Sequence, residues 1–260
     1  MYALGKLFGI DSVEQISTLA RIGSGSACRS VYGGFVQWIG GCDSKTSIAK
    51  QIVDENYWQE MRVLVLVVND HRKDTSSTSG MQLSAQTSPL LKYRVESVLP
   101  ERVQRMITAI KSRDFQTFAE LTMKDSNQFH AICEDTYPPL TYMNDISRTI
   151  RKFCHKYNDF YGVNRIAYTF DAGPNACLYL LEEEVPKVIK LLIRQQKDLS
   201  VKGSVDLSGE LPQDLVDYFG PNPILANDSL RYIISTRIGC GPQIVDQSLM
   251  TDTGSPITSK

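Results

Sequence analysis

Met61-Arg62-Val63-Leu64-Val65-Leu66-Val67-Val68 is the stretch on which the fold turns. It is short, aliphatic and rich in valine, and turn-like residues follow it, so it reads as a strand buried on both faces rather than a helix. The segment after it, Asn69 to Gly80, is NDHRKDTSSTSG, and that hydroxyl-rich polarity predicts a surface loop. Further on, Ser88-Pro89 and Asp114 are helix starts, serine capping ahead of proline in one case and aspartate capping in the other. They predict helices over about Pro89–Ser112, with a break near Pro100, and Phe115–Cys133. A third helix, about Asn144–Tyr157, carries Ile146, Ile150, Phe153 and Cys154 on one side. Arg165–Phe170 is then strand, Asp171–Asn175 a tight turn and Ala176–Leu181 a second strand; Pro186 opens a helix ending near Gln196, and Arg231–Ile238 is a last strand. The order β, helices, β, β, α, β is that of a ferredoxin-like split βαβ.

Upstream of this, Ser12–Ala20 is a short amphipathic helix with Val13, Ile16, Leu19 and Ala20 apolar, and Phe35–Ile39 is strand-like. The chain is therefore α+β with two domains: residues 1–55 as part of a first α+β domain, and 56–260 as the second, tail-like after about 247. The opening Met1-Tyr2-Ala3-Leu4-Gly5-Lys6-Leu7-Phe8 has Leu4, Leu7 and Phe8 on one helical face with no cap ahead of them, as if the chain began inside a helix.

The composition narrows the class. A net charge of −1 over 260 residues gives no footprint for nucleic acid or a membrane surface. The most apolar run, Val63–Val68, is too short to span a bilayer, and the N-terminus has no signal-peptide core, so a cytosolic chain is expected. The six cysteines, Cys28, Cys42, Cys133, Cys154, Cys177 and Cys240, contain no C-x-x-C pair and read as reduced thiols, mostly core-packed. His130 and Glu134 share a helical face at i, i+4, but a pair without a third ligand makes a packed histidine the better reading, and no structural metal is expected.

Two places draw chemistry. Gly23-Ser24-Gly25-Ser26-Ala27-Cys28-Arg29-Ser30 packs two glycines, three hydroxyls and an arginine into eight residues. Glycines expose backbone N–H groups, a helix starting near Ser26 would aim its positive end outward, and Arg29 could fork onto the same phosphate or carboxylate. This is neither the dinucleotide fingerprint, since Cys28 stands where the last glycine belongs, nor a nucleophile elbow. A plain glycine-rich helix cap with a surface arginine is the competing reading, and composition alone does not separate the two. The second place is Asp171, which ends an otherwise apolar strand at the lip of the turn made by Gly173, Pro174 and Asn175. A carboxylate there is either held on a rigid element for chemistry or engaged in an Asx-turn. The polar run Lys124 to Gln128 reads as a solvated helix face, and Glu182 to Glu184 as acidic residues at a helix start, favoured by the dipole.

The run ARIGSGSACRSVYGGFVQW, Ala20–Trp38, closely resembles the corresponding segment of the mevalonate diphosphate decarboxylases of the eukaryotic type, in the GHMP kinase superfamily. Further matches follow in order: SSTSGM (Ser76–Met81), TSPLLKYRVESVLPERV (Thr87–Val103), FAELTMKDSNQFHAICEDTYPP (Phe118–Pro139), AYTFDAGPNA (Ala167–Ala176) and GCGPQIV (Gly239–Val245). Six collinear blocks across nearly the whole chain go well beyond any single motif. The resemblance implies a first domain of ribosomal S5 domain 2-like fold, a site in a cleft between the domains, a small-molecule substrate, ATP as co-substrate with Mg²⁺, and a cytosolic homodimer. It implies that Asp171 is the catalytic carboxylate and that Ser24, Gly25, Ser26, Ala27, Cys28, Arg29 and Thr78 contact the substrate, with Asp171 and Arg29 gripping opposite ends of it.

The family's lysine-bearing strand and glycine/serine-rich phosphate loop lie upstream of these blocks and have no counterpart here, so the chain reads as lacking roughly its first third. Two functions follow from the resemblance. One is ATP-dependent decarboxylation of mevalonate 5-diphosphate to isopentenyl diphosphate; the other is an inactive truncation keeping at most diphosphate binding or association with a full-length partner.

Overall fold

The valine-rich stretch is the middle strand of a five-stranded sheet. In the computed structural model, which describes residues 1–68, 76–194, 199–226, 228–248, 250–251 and 253–255, strand β3 (Met61–Val67) lies between two antiparallel neighbours, β5 (Ala176–Leu181) and β7 (Tyr232–Arg237). Strand β4 (Ile166–Phe170) pairs antiparallel with β5, and the short β6 (Ser200–Lys202) adds a parallel edge beside β7, giving the order β4-β5-β3-β7-β6. Since β5 runs against both β3 and β4, those two are parallel with a strand inserted between them, which is the split βαβ expected from the sequence.

The elements form two units: Met1–Tyr57 with the described residues from Ile238 on, and Trp58–Arg237. In the second unit the helices are α4 (Ser77–Thr87), α5 (Pro89–Tyr93), α6 (Leu99–Ser112), α7 (Phe115–Asp135), α8 (Asp145–Tyr161), α9 (Val185–Ile193) and α10 (Gln213–Phe219). Their starts follow the capping chemistry in the sequence: Ser88, Asp114 and Asn144 each accept a backbone N–H three residues on, and Asn144 forms a reciprocal capping box with Ser147. The interruption expected at Pro100 is a π turn over Arg94–Val98. Pro100 has no N–H to offer the carbonyl of Glu96, so the helix widens by one residue there instead of breaking. Helix α7 lays Phe118 and Leu121 on the sheet, and Phe118 meets Trp58 and Tyr179 edge-on at 5.7 and 5.5 Å between ring centroids.

Glu184 is buried at the N-cap of α9, where the dipole favours it, and it is held by more than the dipole. Its carboxylate receives Tyr157 Oη at 2.5 Å, Arg165 at 2.5 Å and Lys187 at 2.9 Å. Burial works to raise its pKa, yet these three donors together hold it below the usual carboxylate value.

Several elements differ from expectation. The segment expected to be loop through Gly80 is helical from Ser77, while residues 69–75 lie outside the described residues. Ser76 Oγ accepts the Ser79 N–H at 3.1 Å, and the helix faces inward through small residues, Gly80 against Tyr142 and Ser84 hydrogen-bonded to Thr136 at 2.8 Å. Polarity was thus a cap and a close-packed face rather than a loop. Helix α8 runs on to Tyr161 and stops at Gly162, which takes the left-handed conformation at φ 67°. The end near Gln196 and the described helix end at Ile193 differ across a stretch, 195–198, outside the described residues. The edge strand β6 and α10 had no clear periodic signal.

The first unit holds α1 (Tyr2–Leu7), α2 (Val13–Gly23), α3 (Ala27–Ser30) and a two-stranded antiparallel ribbon of β1 (Phe35–Ile39) and β2 (Ile48–Val53). Its small core is Ile16, Ala20 and Val31, with Tyr2, Ile10 and Ala27 against it. The helical face of Leu4, Leu7 and Phe8 stays exposed. Residues 238–241, read from sequence with the second domain, pack here: Gly34 N donates to Gly239 O at 2.9 Å. Gly34 sits at φ +74°, and a Cβ there would lie 2.1 Å from Val53 O, so only glycine fits. All six cysteines are free thiols. Among the described residues no helix is long and apolar enough to cross a membrane.

Candidate functional site

In the second unit the candidate site is the turn after β4. Asp171 is exposed while its neighbours Ala172 and Gly173 are buried, so the backbone is anchored and the carboxylate is not covered. Four contacts fix the turn. Gly173 N donates to Asp171 O at 2.8 Å. Ser147 Oγ, in the first turn of α8, donates to Pro174 O at 2.9 Å, and Asn175 Oδ1 accepts the N–H of Val68, just past β3, at 2.8 Å. On the free edge of β4, Ser126 Oγ of α7 accepts the Phe170 N–H at 3.1 Å. The Asx-turn alternative is not what the carboxylate does, because the short bond across the turn is made by the Asp171 carbonyl.

The polar run on α7 divides accordingly. Ser126 is buried under β4, and Asn127 Oδ1 accepts the Tyr168 hydroxyl at 3.0 Å, which also lies 3.1 Å from His155 Nε2. Asp125 is gripped by Arg94 and Arg102 at 2.8 and 2.9 Å, and both guanidiniums also reach Gln128 Oε1. Burial pushes the Asp125 carboxyl up, but the two arginines outweigh it and hold it low. Lys124 faces solvent and pairs with Glu120. The solvated-face reading therefore holds for Lys124 but not for Ser126, which is buried; His130, one turn on, is buried too, as a packed histidine would be. Polar residues recurring at i, i+4 between apolar flanks were the signal.

His130 is 6 % exposed, with Phe129 and Phe170 edge-on at 4.9 and 6.2 Å. Burial lowers its pKa most; the Phe170 backbone raises it, the Arg151 guanidinium lowers it, and the Asp171 carboxylate raises it. The same carboxylate acts on Cys177, whose thiol is raised first by burial and then by that charge. Thr78 is exposed in the first turn of α4. Helix α7 is the element on which both α4 and β4 rest.

In the first unit Ser24, Ser26 and Arg29 are exposed, and Gly25 and Ala27 half-buried. Ser26 caps α3 by backbone only, leaving its hydroxyl uncommitted as a cap. Helix α3 has four residues, too few to sum a useful dipole, so an anion here would be held by hydroxyls, N–H groups and Arg29 rather than by a helix end. Cys28 is 1 % exposed and its carbonyl accepts Ser17 Oγ at 2.8 Å, so its side chain serves the core and not the loop surface.

Trp38, which sequence reasoning passed over, floors the loop. Its ring would lie 2.8 Å from a Cβ at Gly25, the Arg29 guanidinium stands 6.0 Å from its centroid, and its Nε1 donates to Ser47 Oγ at 3.0 Å. A groove of about 890 Å³ between α2 and β2 involves Glu14, Thr18, Lys45 and Lys50 but none of the loop residues. Among the described residues no three His, Cys, Asp or Glu side chains gather as a metal ion would need.

Two family models match the chain: the mevalonate 5-diphosphate decarboxylase C-terminal domain over residues 63–245 and the diphosphomevalonate decarboxylase-like N-terminal domain over residues 1–49. A zebrafish (Danio rerio) diphosphomevalonate decarboxylase is 49% identical over 95% of this chain and 62% of its own length. The chain thus spans under two thirds of that relative. The solved mevalonate diphosphate decarboxylase from Trypanosoma brucei superposes with a TM-score of 0.83 at 36% identity, covering 92% of this chain and 65% of that one. Another solved structure, described as MDDEF in complex with MVAPP, AMPPCP and magnesium, gives 0.65 at 31% identity over 72% of this chain and 57% of that one. With all but the first two residues of the split βαβ sheet, the Asp171 turn and the Gly23–Ser30 loop lying inside the matched regions, the chain belongs to the mevalonate 5-diphosphate decarboxylase family.

Proposed function

We propose that the protein acts as a carbon–carbon lyase, converting mevalonate 5-diphosphate and ATP to isopentenyl diphosphate, ADP, phosphate and CO₂, with Mg²⁺ as the counter-ion of the phosphates. Membership of the family supports the reaction class. The observation that carries the residue assignment is the mounting of Asp171, an uncovered carboxylate on a turn tied to α7, α8 and the end of β3. A group that must meet one hydroxyl needs that fixity.

In this reading Asp171 orients the substrate's 3-hydroxyl and receives its proton as the oxygen takes the phosphoryl group. The tertiary phosphate then leaves with its bonding electrons, and the electrons of the bond to the carboxylate form the new double bond as CO₂ departs. A fixed negative charge near C3 favours that step. Ser24, Ser26 and Arg29, with backbone N–H groups of Gly25 and Ala27, hold the diphosphate or carboxylate, and Thr78 adds a hydroxyl contact. Magnesium neutralises phosphate charge when bound, and no step above depends on a metal ligand from these residues. We assign the protein to the cytosol as a homodimer, which cell fractionation and light scattering check.

The test is ATP-dependent ¹⁴CO₂ release from carboxyl-labelled mevalonate diphosphate by the 260-residue chain and by Asp171→Asn. Release by the parent and its near-complete loss in the variant are expected. A folded parent that releases no CO₂, or a variant as fast as the parent, overturns the reading.

A further inference from the structure

His130 is a polar ring kept where an apolar one would cost less. It is 6 % exposed, its Nε2 has no hydrogen-bond partner among the described residues, and two phenyl rings flank it. An unpaired buried nitrogen is unfavourable by about 1–3 kcal/mol, which a leucine of similar size would avoid. Its place in the chain suggests what offsets this. His130 is one turn of α7 beyond Ser126, and both address Phe170: Ser126 through the backbone N–H at 3.1 Å, His130 through the ring at 6.2 Å. Phe170 is the last residue of β4 and is followed directly by Asp171.

The charged groups acting on the imidazole come from both elements packed over it: the Arg151 guanidinium from α8 and the Asp171 carboxylate from the end of β4. Arg151 is itself tethered, 5.6 Å from the Tyr168 ring centroid. Strand β4 is an edge strand whose free side is covered by these α7 residues rather than by another strand.

We propose that His130 is a positioning residue for Asp171, holding the end of β4 from the α7 side. The role in turnover rests on the reading of Asp171 given above; the effect on the carboxylate itself does not. Residues that act through a neighbour change the rate step more than binding, because misplacement by a fraction of an ångström weakens the reacting geometry while the substrate's remote contacts survive.

The experiment uses the whole chain with His130→Leu and His130→Gln, each checked for folding by circular dichroism. The carbon-13 resonance of the Asp171 carboxyl, assigned by its disappearance in Asp171→Asn, is compared between parent and variants at one fixed pH, and CO₂ release is measured alongside. We expect His130→Leu to move the carboxyl resonance and to lower kcat at least tenfold with KM within twofold, and His130→Gln to recover most of both. If His130→Leu does not fold, His130→Ala, which removes the ring without adding bulk, carries the test on the same resonance. An Asp171 carboxyl unmoved in every folded variant overturns the inference. Should Asp171→Asn retain full CO₂ release, it is the catalytic reading that falls, while the resonance still decides whether His130 positions the carboxylate.

Discussion

The turn bearing Asp171 and the loop bearing Arg29 both present a charged side chain to solvent, yet they are built oppositely. Behind Asp171 stand bonds from Ser126, Ser147 and Asn175, drawn from three separated stretches of chain. Behind Arg29 stand a four-residue helix, one tryptophan face and the buried Cys28. The difference matches two kinds of task. A group that must meet a single reacting atom needs its direction fixed, whereas one that attracts a phosphate gains most from charge and can tolerate looser aim.

The largest effect that would break this contrast is at Asp171. Asp171→Asn keeps the shape and removes the proton acceptor, so kcat should fall about 10²- to 10⁴-fold with KM little changed, measured by steady-state CO₂ release. Arg29→Ala should do the reverse. Loss of a charge-assisted bond of about 1.5–3 kcal/mol corresponds to a rise in KM of roughly ten- to hundredfold, and lysine should restore charge but not the forked geometry. If Arg29→Ala lowers kcat as much as Asp171→Asn does, the two regions are not distinguished by task.

A smaller change sharpens the comparison from behind the turn. Ser147→Ala removes both the capping-box partner and the donor to Pro174 O, and should destabilise the chain by about 1 kcal/mol in urea unfolding while lowering kcat several-fold. Ser26→Ala, whose hydroxyl makes no capping bond, should leave unfolding unaltered. The smallest effect is a pH slope. Unfolded histidine takes up a proton near pH 6.5, and burial keeps the folded His130 from doing so until lower pH. Its contribution is complete above about pH 6.5 and is lost as pH falls toward the folded value, at no more than about 1.4 kcal/mol per pH unit. His130→Gln should flatten that slope in urea unfolding curves collected between pH 7 and pH 5.

How much of this was legible in the residues depended on whether the signal was local. The strand at Met61, the caps at Ser88, Asp114 and Asn144, and the Ala176–Leu181 strand were readable because short-range patterning specifies them. Helix α4 was not, since its stability comes from Gly80 and Ser84 fitting against Tyr142 and Thr136, which are more than fifty residues away in sequence. At the site, the Asp171 turn and the Gly23–Ser30 loop stood out by composition. The residues that hold them, Ser126, Ser147, Asn175 and Trp38, looked ordinary because their meaning lies in partners supplied by other elements.

The bond between Gly34 and Gly239 has a consequence for biosynthesis. Because the chain leaves the first unit at Tyr57 and re-enters it at Ile238, every residue of the second unit emerges from the ribosome before that glycine contact can close. The ribbon of β1 and β2 is thus made early and latched late. A chain cut just short of Gly239 and freed from the ribosome would hold every strand of the five-stranded sheet and still lack the bond that latches the ribbon.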